Sequence, residues 1–236
     1  MKTPRIFFFA ISLMTVALML APSTLYTGAP RPNIIFILTD DLDIEYPDGS
    51  WIEHFPRLKA LLADGGTTFK NFFVSLSLCC PSRSSMLRGQ YAHNTQIFTN
   101  TAPGGGFQKA HDEGLENATS AIWLHDAGYR TILIGKYLNG YPGNLGAKYI
   151  APGWDEWFSG EKNQYNQFNY TANDNGQIVS YGNAPEDYEQ DVFRGKAVVF
   201  IRRMAQDGQP FFMWMPTYTP HQPATFAPRY ADAFLM

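Results

Sequence analysis

Short apolar runs alternate with helical patterns along this chain, and that alternation constrains the fold more than any other feature. Residues 33–39 read NIIFILT, a continuous apolar run of the kind found in strands buried on both faces of a parallel sheet. Further strands are predicted over residues 67–74, 129–134 and 211–215. The order of elements predicts an α/β fold in which helices sandwich a mostly parallel mixed sheet.

Helices are predicted over three segments between these strands: around residues 55–63, 117–128 and 186–204, the last with apolar residues along one face. Another helix is predicted to begin near Ser84, after a cysteine-containing loop. Residues 153–183 are rich in aromatic residues, Asn, Gln and Gly. That composition predicts irregular or short antiparallel structure at the periphery of the domain.

Polar side chains come directly after four of the predicted strands. Asp40 and Asp41 follow the first, and Cys79, Lys136 and His221 come after the others. Because ligands of open α/β sheets bind beyond the carboxyl ends of the strands, we expect these side chains to converge on one edge. Two adjacent carboxylates favour a hard cation such as calcium, which would relieve their repulsion, although such a pair can also cap a turn.

The stretch Cys79-Cys80-Pro81-Ser82-Arg83 places a thiol and a guanidinium just ahead of a predicted helix. Backbone N–H groups and partial positive charge at a helix start, together with an arginine, suit a tetrahedral oxyanion. The alternatives are a packed cysteine pair, a zinc site, a disulfide or a cysteine-phosphatase loop. The chain has only two cysteines, and they are adjacent, which disfavours zinc and a disulfide. Ser85 and Met86 stand where a phosphatase loop needs its arginine.

The sequence CxPSR in this loop resembles the sulfatase signature, and the longer run CCPSRSSMLRGQYAHNT resembles the glucosamine-6-sulfatase branch of that family. The resemblance implies an alkaline-phosphatase/sulfatase-like fold. It also implies that Cys79 is oxidised to formylglycine by a formylglycine-generating enzyme, with Cys80 as a neighbour. An aldehyde hydrate can attack sulfur with one hydroxyl and expel sulfate with the other, which a thiol cannot do.

The same resemblance assigns roles to residues elsewhere. The run PNIIFILTDD implies that Asp40 and Asp41 bind calcium together with the residue at position 79, and Arg83 would hold the hydrate. Lys136, in GKYLN, would contact the sulfate. Many sulfatases have a histidine two residues beyond that lysine, whereas Leu138 stands here and Asn139 follows as a candidate substrate-binding residue. His221, in TPH, would contact the ester and protonate the departing alkoxide, a role that histidine side chains commonly serve in catalysis.

Composition and the N-terminal sequence indicate the class of protein and where it acts. The 236 residues are 45% hydrophobic and 17% charged with a net charge of -3, which fits a globular domain and disfavours nucleic-acid binding. Basic residues precede an apolar run in residues 1–25, which predicts a signal peptide cleaved between about residues 21 and 31, with a retained anchor as the alternative. The rest of the chain has no second membrane-spanning segment. Residues 31–236 are expected to form the N-terminal portion of a sulfatase catalytic domain, incomplete at its C-terminus.

The sequence therefore predicts a sulfuric ester hydrolase of the secretory pathway that is extracellular, periplasmic or lysosomal. Its expected substrate is a sulfated sugar, with N-acetylglucosamine-6-sulfate units of glycosaminoglycans as the leading candidate. Sequons at Asn117 and Asn169 would permit glycosylation. The alternatives are a phosphonate or phosphodiester hydrolase on the same scaffold and an inactive sulfatase-like remnant that binds glycans.

Overall fold

The computed structural model describes residues 31–42 and 50–233. The predicted signal peptide at residues 1–25 lies outside these ranges. All of the strands and helices below belong to the compact unit that begins at Asn33. None of the described helices is both long enough and apolar enough to cross a membrane.

One mixed sheet organises the described residues. Its spatial order is β1-β6-β2-β3-β4-β5; β1, β6, β2 and β3 run parallel, whereas β4 and β5 add an antiparallel edge. The predicted mostly parallel mixed sheet is therefore confirmed. The strands are β1 Ile34–Asp40, β2 Arg130–Ile134, β3 Glu156–Lys162, β4 Thr171–Asp174, β5 Gln177–Ser180 and β6 Phe211–Pro220.

The helices fill the connections between the strands. The α-helices are α1 Pro56–Leu58, α2 Cys79–Arg88, α3 Ala92–Thr95, α4 Phe107–Asp112, α5 Ser120–Asp126 and α6 Glu189–Asp207. A π-helical turn, Lys59–Ala63, continues α1. Short 3-10 turns occupy Ser50–His54, Leu115–Asn117, Gly143–Leu145, Gln164–Asn166, Pro185–Asp187 and Pro228–Tyr230.

Alternate residues of the central strands enter two separate cores. Leu133 and Phe212 belong to one core, which is covered by residues of α2, α4 and α5. Ile132 and Met213 belong to the other, where Phe193 and its neighbours on α6 pack. Because successive side chains of a strand point to opposite faces, the two cores show that helices cover both faces of the sheet, as the sequence predicts.

Two of the predicted strands differ from the structure. Residues 67–74 form no strand in the described structure; they pair with no strand of the sheet, and Phe69, Phe72 and Phe73 expose 74%, 76% and 85% of their surface. A strand requires a neighbour to receive its backbone hydrogen bonds. The run in β1 is a strand, but it is not buried on both faces. Among the described strands, β1 pairs only with β6, and Ile37 is 56% exposed.

Helix boundaries differ from the sequence predictions in two places. Helix α2 begins at Cys79 rather than near Ser84, because the first amide groups of a helix need no intrahelical acceptor and Pro81 is therefore tolerated there. Helix α5 takes Thr119 as its N-cap rather than Asn117, which instead ends a 3-10 turn. The start at Cys79 places the thiol itself in the first turn of the helix.

Candidate active site

The first turn of α2 brings a thiol and a guanidinium to the same side of the helix. Leu78 is extended, the helix begins at Cys79, and the backbone N–H of Cys80 donates to Oδ1 of Asn100 at 2.8 Å. Cys79 and Arg83 are one helical turn apart, so their side chains lie on one face. Both reach the same atom, since Oδ1 of Asp40 lies 3.7 Å from the Cys79 sulfur and 3.1 Å from Nη2 of Arg83.

Asp40 is the centre of a buried charge cluster at the end of β1. Its Oδ2 accepts a 2.6 Å hydrogen bond from Nζ of Lys136, and Nη1 of Arg83 donates to the backbone carbonyl of Lys136 at 2.9 Å. All three side chains are nearly inaccessible to solvent. Two cations therefore face one carboxylate in a region of low dielectric constant, and the excess positive charge favours a second anion beside them.

Gly135 determines where Lys136 lies. The glycine follows β2 with φ of +127°, and a Cβ at this position would overlap the carbonyl oxygen of Pro216 on β6. The amide of Gly135 donates to the carbonyl of Phe158, and that of Lys136 donates to Pro216, both at 2.7 Å. Backbone groups of two neighbouring strands thus hold the lysine at the carboxyl edge of the sheet.

Burial and the neighbouring charges shift the pKa of Lys136 in opposing directions. Burial lowers the pKa of Lys136, and so does the neighbouring Arg83 guanidinium. The Asp40 carboxylate outweighs both through charge attraction and its hydrogen bond, so the pKa of Lys136 lies above its ordinary value. The ammonium form is therefore maintained without direct exposure to water.

His221 completes the edge from the end of β6, which extends to Pro220. Its Nδ1 lies 2.7 Å from the carbonyl oxygen of Gln222 and donates to it, because a carbonyl can only accept. Nε2 faces the site, 3.6 Å from Oδ2 of Asp41. Asp41 has a positive φ of 60°, and its side chain is 60% exposed, so it lies on the rim rather than in the buried cluster.

Three potential metal-ligand atoms meet in this site. Within the described ranges, one ligand atom each from Asp40, Cys79 and His221 lie within 4.8 Å of one another. Asp41 is not in this group but approaches it through His221. A thiol is a poor ligand for calcium, which binds oxygen. A residue with hydroxyl oxygens at position 79 would make the donors fit a hard cation better.

Asn139 and Cys80 take positions near the cluster without joining it. The backbone carbonyl of Asn139 accepts from the amide of Phe107 at 2.7 Å, and its buried Oδ1 has no hydrogen-bond partner among the described residues. Cys80 is fully buried. Burial raises the pKa of its thiol, so Cys80 suits a packing role.

Tyr165 is a site residue that the sequence patterns do not identify. Its ring centroid lies 5.1 Å from Nζ of Lys136 and 4.6 Å from the ring centroid of His221. It belongs to residues 153–183, whose predicted short antiparallel strands are present as β4 and β5. The predicted peripheral position is wrong for β3, which pairs parallel to β2 inside the sheet and buries Trp157 and Phe158. It is also wrong for residues 164–166, because the turn after β3 returns to the carboxyl edge of the sheet. The sequence feature that could have pointed to Tyr165 is the high content of aromatic and amide residues in this segment.

Fold and site together define an α/β protein with a cysteine thiol at a helix start, beside a carboxylate that two buried cations share. The family profile of the sulfatases matches residues 32–235. The chain belongs to the sulfatase family.

Curated relatives agree with this assignment. The chain is 40% identical over 209 residues to the extracellular sulfatase SULF-1 homolog of Drosophila melanogaster, covering 86% of this chain and 18% of that protein. It is 38% identical over 211 residues to the N-acetylglucosamine-6-sulfatase of Homo sapiens, covering 88% of this chain and 37% of that protein. The chain thus spans well under half the length of these two relatives.

Solved structures show the same fold. One, solved in complex with its substrate D-glucosamine-2-N,6-O-disulfate, superposes with a TM-score of 0.60 at 23% identity over 87% of this chain and 38% of that one. A sulfatase from Pseudoalteromonas sp. gives 0.59 at 16% identity over 98% and 51%. At these identities the likeness concerns the fold alone, and it confirms the predicted sulfatase-like architecture.

Proposed function

We propose that this chain carries the nucleophile side of the active site of a sulfuric ester hydrolase that acts on sulfated sugars. The observation that carries the proposal is the convergence of Asp40, Cys79, Arg83, Lys136 and His221 from four separate segments onto one edge of the sheet. The names of the relatives favour N-acetylglucosamine-6-sulfate units of glycosaminoglycans as substrate. Residues 31–236 are proposed as the N-terminal portion of a catalytic domain.

Position 79 supplies the nucleophile in this proposal. The sulfur of Cys79 marks where a hydrate oxygen would lie after the formylglycine-generating enzyme has acted. A formylglycine hydrate would supply one hydroxyl to attack sulfur and a second to expel sulfate as the aldehyde forms again. Arg83, whose guanidinium already shares Oδ1 of Asp40 with that sulfur, would hold the hydrate in place.

Asp40 and Asp41, with the oxygen at position 79, would hold a calcium ion. When bound there, such an ion would supply electrostatic stabilisation of negatively charged sulfate oxygens. Lys136 would bind the sulfate through its ammonium group, which Asp40 keeps charged. Preorganised cations at this edge need no rearrangement as the negative charge shifts.

In this proposal, His221 protonates the leaving group. Its Nδ1 is engaged with a backbone carbonyl, so Nε2 is the nitrogen that faces the site. A proton on Nε2 would pass to the sugar oxygen as the sulfur–oxygen bond breaks. Asn139 remains a candidate for substrate binding through its amide group.

The proposed location of the protein is argued from its relatives and from its N-terminal sequence. The Drosophila relative is named as extracellular, and the signal peptide predicted over residues 1–25 would direct the chain into the secretory pathway. Both sequon asparagines, Asn117 and Asn169, are exposed, which leaves them accessible for glycosylation. An extracellular, periplasmic or lysosomal location is proposed on these grounds.

The modification is tested by mass spectrometry. The chain is co-expressed with a formylglycine-generating enzyme, and the tryptic peptide from Asn71 to Arg83 is measured. In the wild type and in Cys80→Ser we expect the peptide to lose one sulfur and two hydrogen atoms and to gain one oxygen atom, as the CH2–SH group becomes an aldehyde. Cys79→Ala should show no conversion. A thiol retained at Cys79 would contradict the proposed nucleophile.

Substrate class is tested separately with N-acetylglucosamine-6-sulfate and N-acetylglucosamine-6-phosphate in parallel. Two cations around a tetrahedral site bind either anion, so the comparison decides between sulfatase and phosphoester hydrolase. We expect hydrolysis of the sulfate ester and its loss in Arg83→Gln. A preference for the phosphate ester would contradict the substrate assignment.

A further inference from the structure

Glu116 is a buried carboxylate that lies outside the charge cluster. It is 4% exposed and belongs to the 3-10 turn Leu115–Asn117. The hydroxyl of Tyr137 donates to its Oε1 at 2.9 Å, and the hydroxyl of Tyr149 donates to its Oε2 at 3.0 Å. Nδ1 of His111 lies 2.7 Å from the same Oε2. Both oxygens therefore accept hydrogen bonds, as those of an ionised carboxylate do.

Arg88 attaches the turn that carries Glu116 to the helix that begins at Cys79. Arg88 is the last residue of α2, and its Nη1 donates to the backbone carbonyls of Leu115 at 3.1 Å and Ala118 at 2.7 Å. These two carbonyls stand on either side of Glu116 in the chain. The backbone around the carboxylate is therefore anchored to the helix that carries the thiol.

Tyr137 connects Glu116 to the charge cluster, because it follows Lys136 in the chain. The carbonyl of Lys136, which accepts from Nη1 of Arg83 at 2.9 Å, lies in the planar peptide group that joins Lys136 to Tyr137. A rotation of this peptide group would move the acceptor of Arg83 together with the backbone of Lys136. The ring of Tyr137 packs edge-on against Trp157, and Glu116 holds the hydroxyl at the end of that ring.

We infer that Glu116 is a positioning residue for Lys136. Through Tyr137 it fixes the backbone from which the lysine projects, and through the turn held by Arg88 it ties that backbone to the helix of Cys79. Glu116 acts on the protein rather than on the substrate. The placement of the Lys136 ammonium concerns the chain itself, whereas its consequence for sulfate binding rests on the proposed function.

The two tyrosines offer a matched pair of variants. Tyr137→Phe and Tyr149→Phe each remove one hydroxyl that donates to Glu116 and keep the aromatic ring, but only Tyr137 adjoins Lys136. Glu116→Gln alters the acceptor itself, and its combination with Tyr137→Phe tests whether both changes act along one route. All variants are made in the unconverted chain, and thermal unfolding measures the stability that each one loses.

The ammonium group of Lys136 can be observed directly in protein labelled with ¹⁵N-lysine. Its side chain is 3% exposed and bonded to Asp40, so its N–H protons should exchange slowly with water and give an NMR signal. Lys136→Met identifies this signal by its absence. Affinity for inorganic sulfate is measured by calorimetry on the same samples.

We expect Tyr137→Phe and Glu116→Gln to shift or broaden the Lys136 signal. Each should weaken sulfate binding about fivefold, which is part of the value of one hydrogen bond to a charged group. The double variant should lose no more than the larger single loss. Tyr149→Phe should leave the Lys136 signal and the sulfate affinity at their wild-type values, although it lowers Tm about as much as Tyr137→Phe does.

Two results would overturn the inference and leave the proposed function intact. One is an unchanged Lys136 signal in both Tyr137→Phe and Glu116→Gln. The other is an equal change of that signal in Tyr137→Phe and Tyr149→Phe, which would show that Glu116 contributes only to packing. If the wild type bound no sulfate while the Lys136 signal responded as expected, the proposed function would fail and the positioning role would stand.

Discussion

Replacing Asp40 with asparagine should destabilise the protein because it leaves two buried cations without their shared anion. Asp40 is 3% exposed, and its oxygens lie 2.6 Å from Nζ of Lys136 and 3.1 Å from Nη2 of Arg83. At an effective dielectric constant of about 20, the gross attractions are about 6 and about 5 kcal/mol. Desolvation of the three ions offsets most of this in the wild type.

In Asp40→Asn the desolvation of the two cations remains while the attraction is lost. Removing one partner of a buried ion pair costs roughly 3–5 kcal/mol, and we expect a loss in that range. For a chain of this size, it corresponds to a fall in Tm of about 6–20 °C. Asp41→Asn is the matched control; its carboxylate is 60% exposed, so its effect should stay below about 1 kcal/mol.

The assay is urea unfolding followed by tryptophan fluorescence, in the presence of a chelator so that metal binding does not contribute. Both variants are compared with the wild type at one pH and one salt concentration. If Asp40→Asn and Asp41→Asn differ by less than about 0.5 kcal/mol, the ion cluster is not a major contributor to stability. The reasoning from its burial would then be refuted.

Three further predictions concern groups outside the site. Burial raises the pKa of Glu189 well above its ordinary value, so the folded state holds this proton more tightly. The free energy of unfolding should therefore fall as pH rises from the pKa of Glu189 in the unfolded state through its pKa in the folded state. In Glu189→Gln the dependence of Tm on pH should be weaker over this range. An unchanged dependence would contradict the prediction. Glu116 accepts hydrogen bonds from two tyrosine hydroxyls, so Glu116→Gln should cost roughly 1–3 kcal/mol in urea unfolding; exposed Glu113→Gln, the control, should change little. Phe193→Ala should cost roughly 3–5 kcal/mol, whereas Val199→Ala, at a 65% exposed position of the same helix, should cost far less; equal effects would contradict the proposed packing.

Local sequence patterns determined the fold class and identified the segment from Cys79 to Arg83 as a candidate site. Apolar residues recur with the period of the element that buries them, so the runs at β2 and β6 and the apolar face of α6 were readable without tertiary information. The spacing of Cys79 and Arg83 is likewise local, because one helical turn separates them. These features also carry the family resemblance that the comparisons confirm.

The sequence patterns gave wrong predictions for segments whose structure depends on which segment lies beside them in the fold. Residues 67–74 have the composition of a strand, yet strand formation depends on a partner that composition does not specify. The run in β1 reads as fully buried, but its burial depends on the order of strands in the sheet.

The arrangement of the site residues depends on both the sequence and the tertiary structure. Asp40 and Lys136 were each identified by their position at the end of a predicted strand, but their 2.6 Å contact spans 96 positions in the chain and requires β6 to lie between β1 and β2. Tyr165 reaches Lys136 and His221 only because the turn after β3 folds back over the carboxyl edge. The sequence by itself determined which elements form and which chemical groups end them; the tertiary structure alone decided which groups meet, because long-range contacts depend on strand order and loop path.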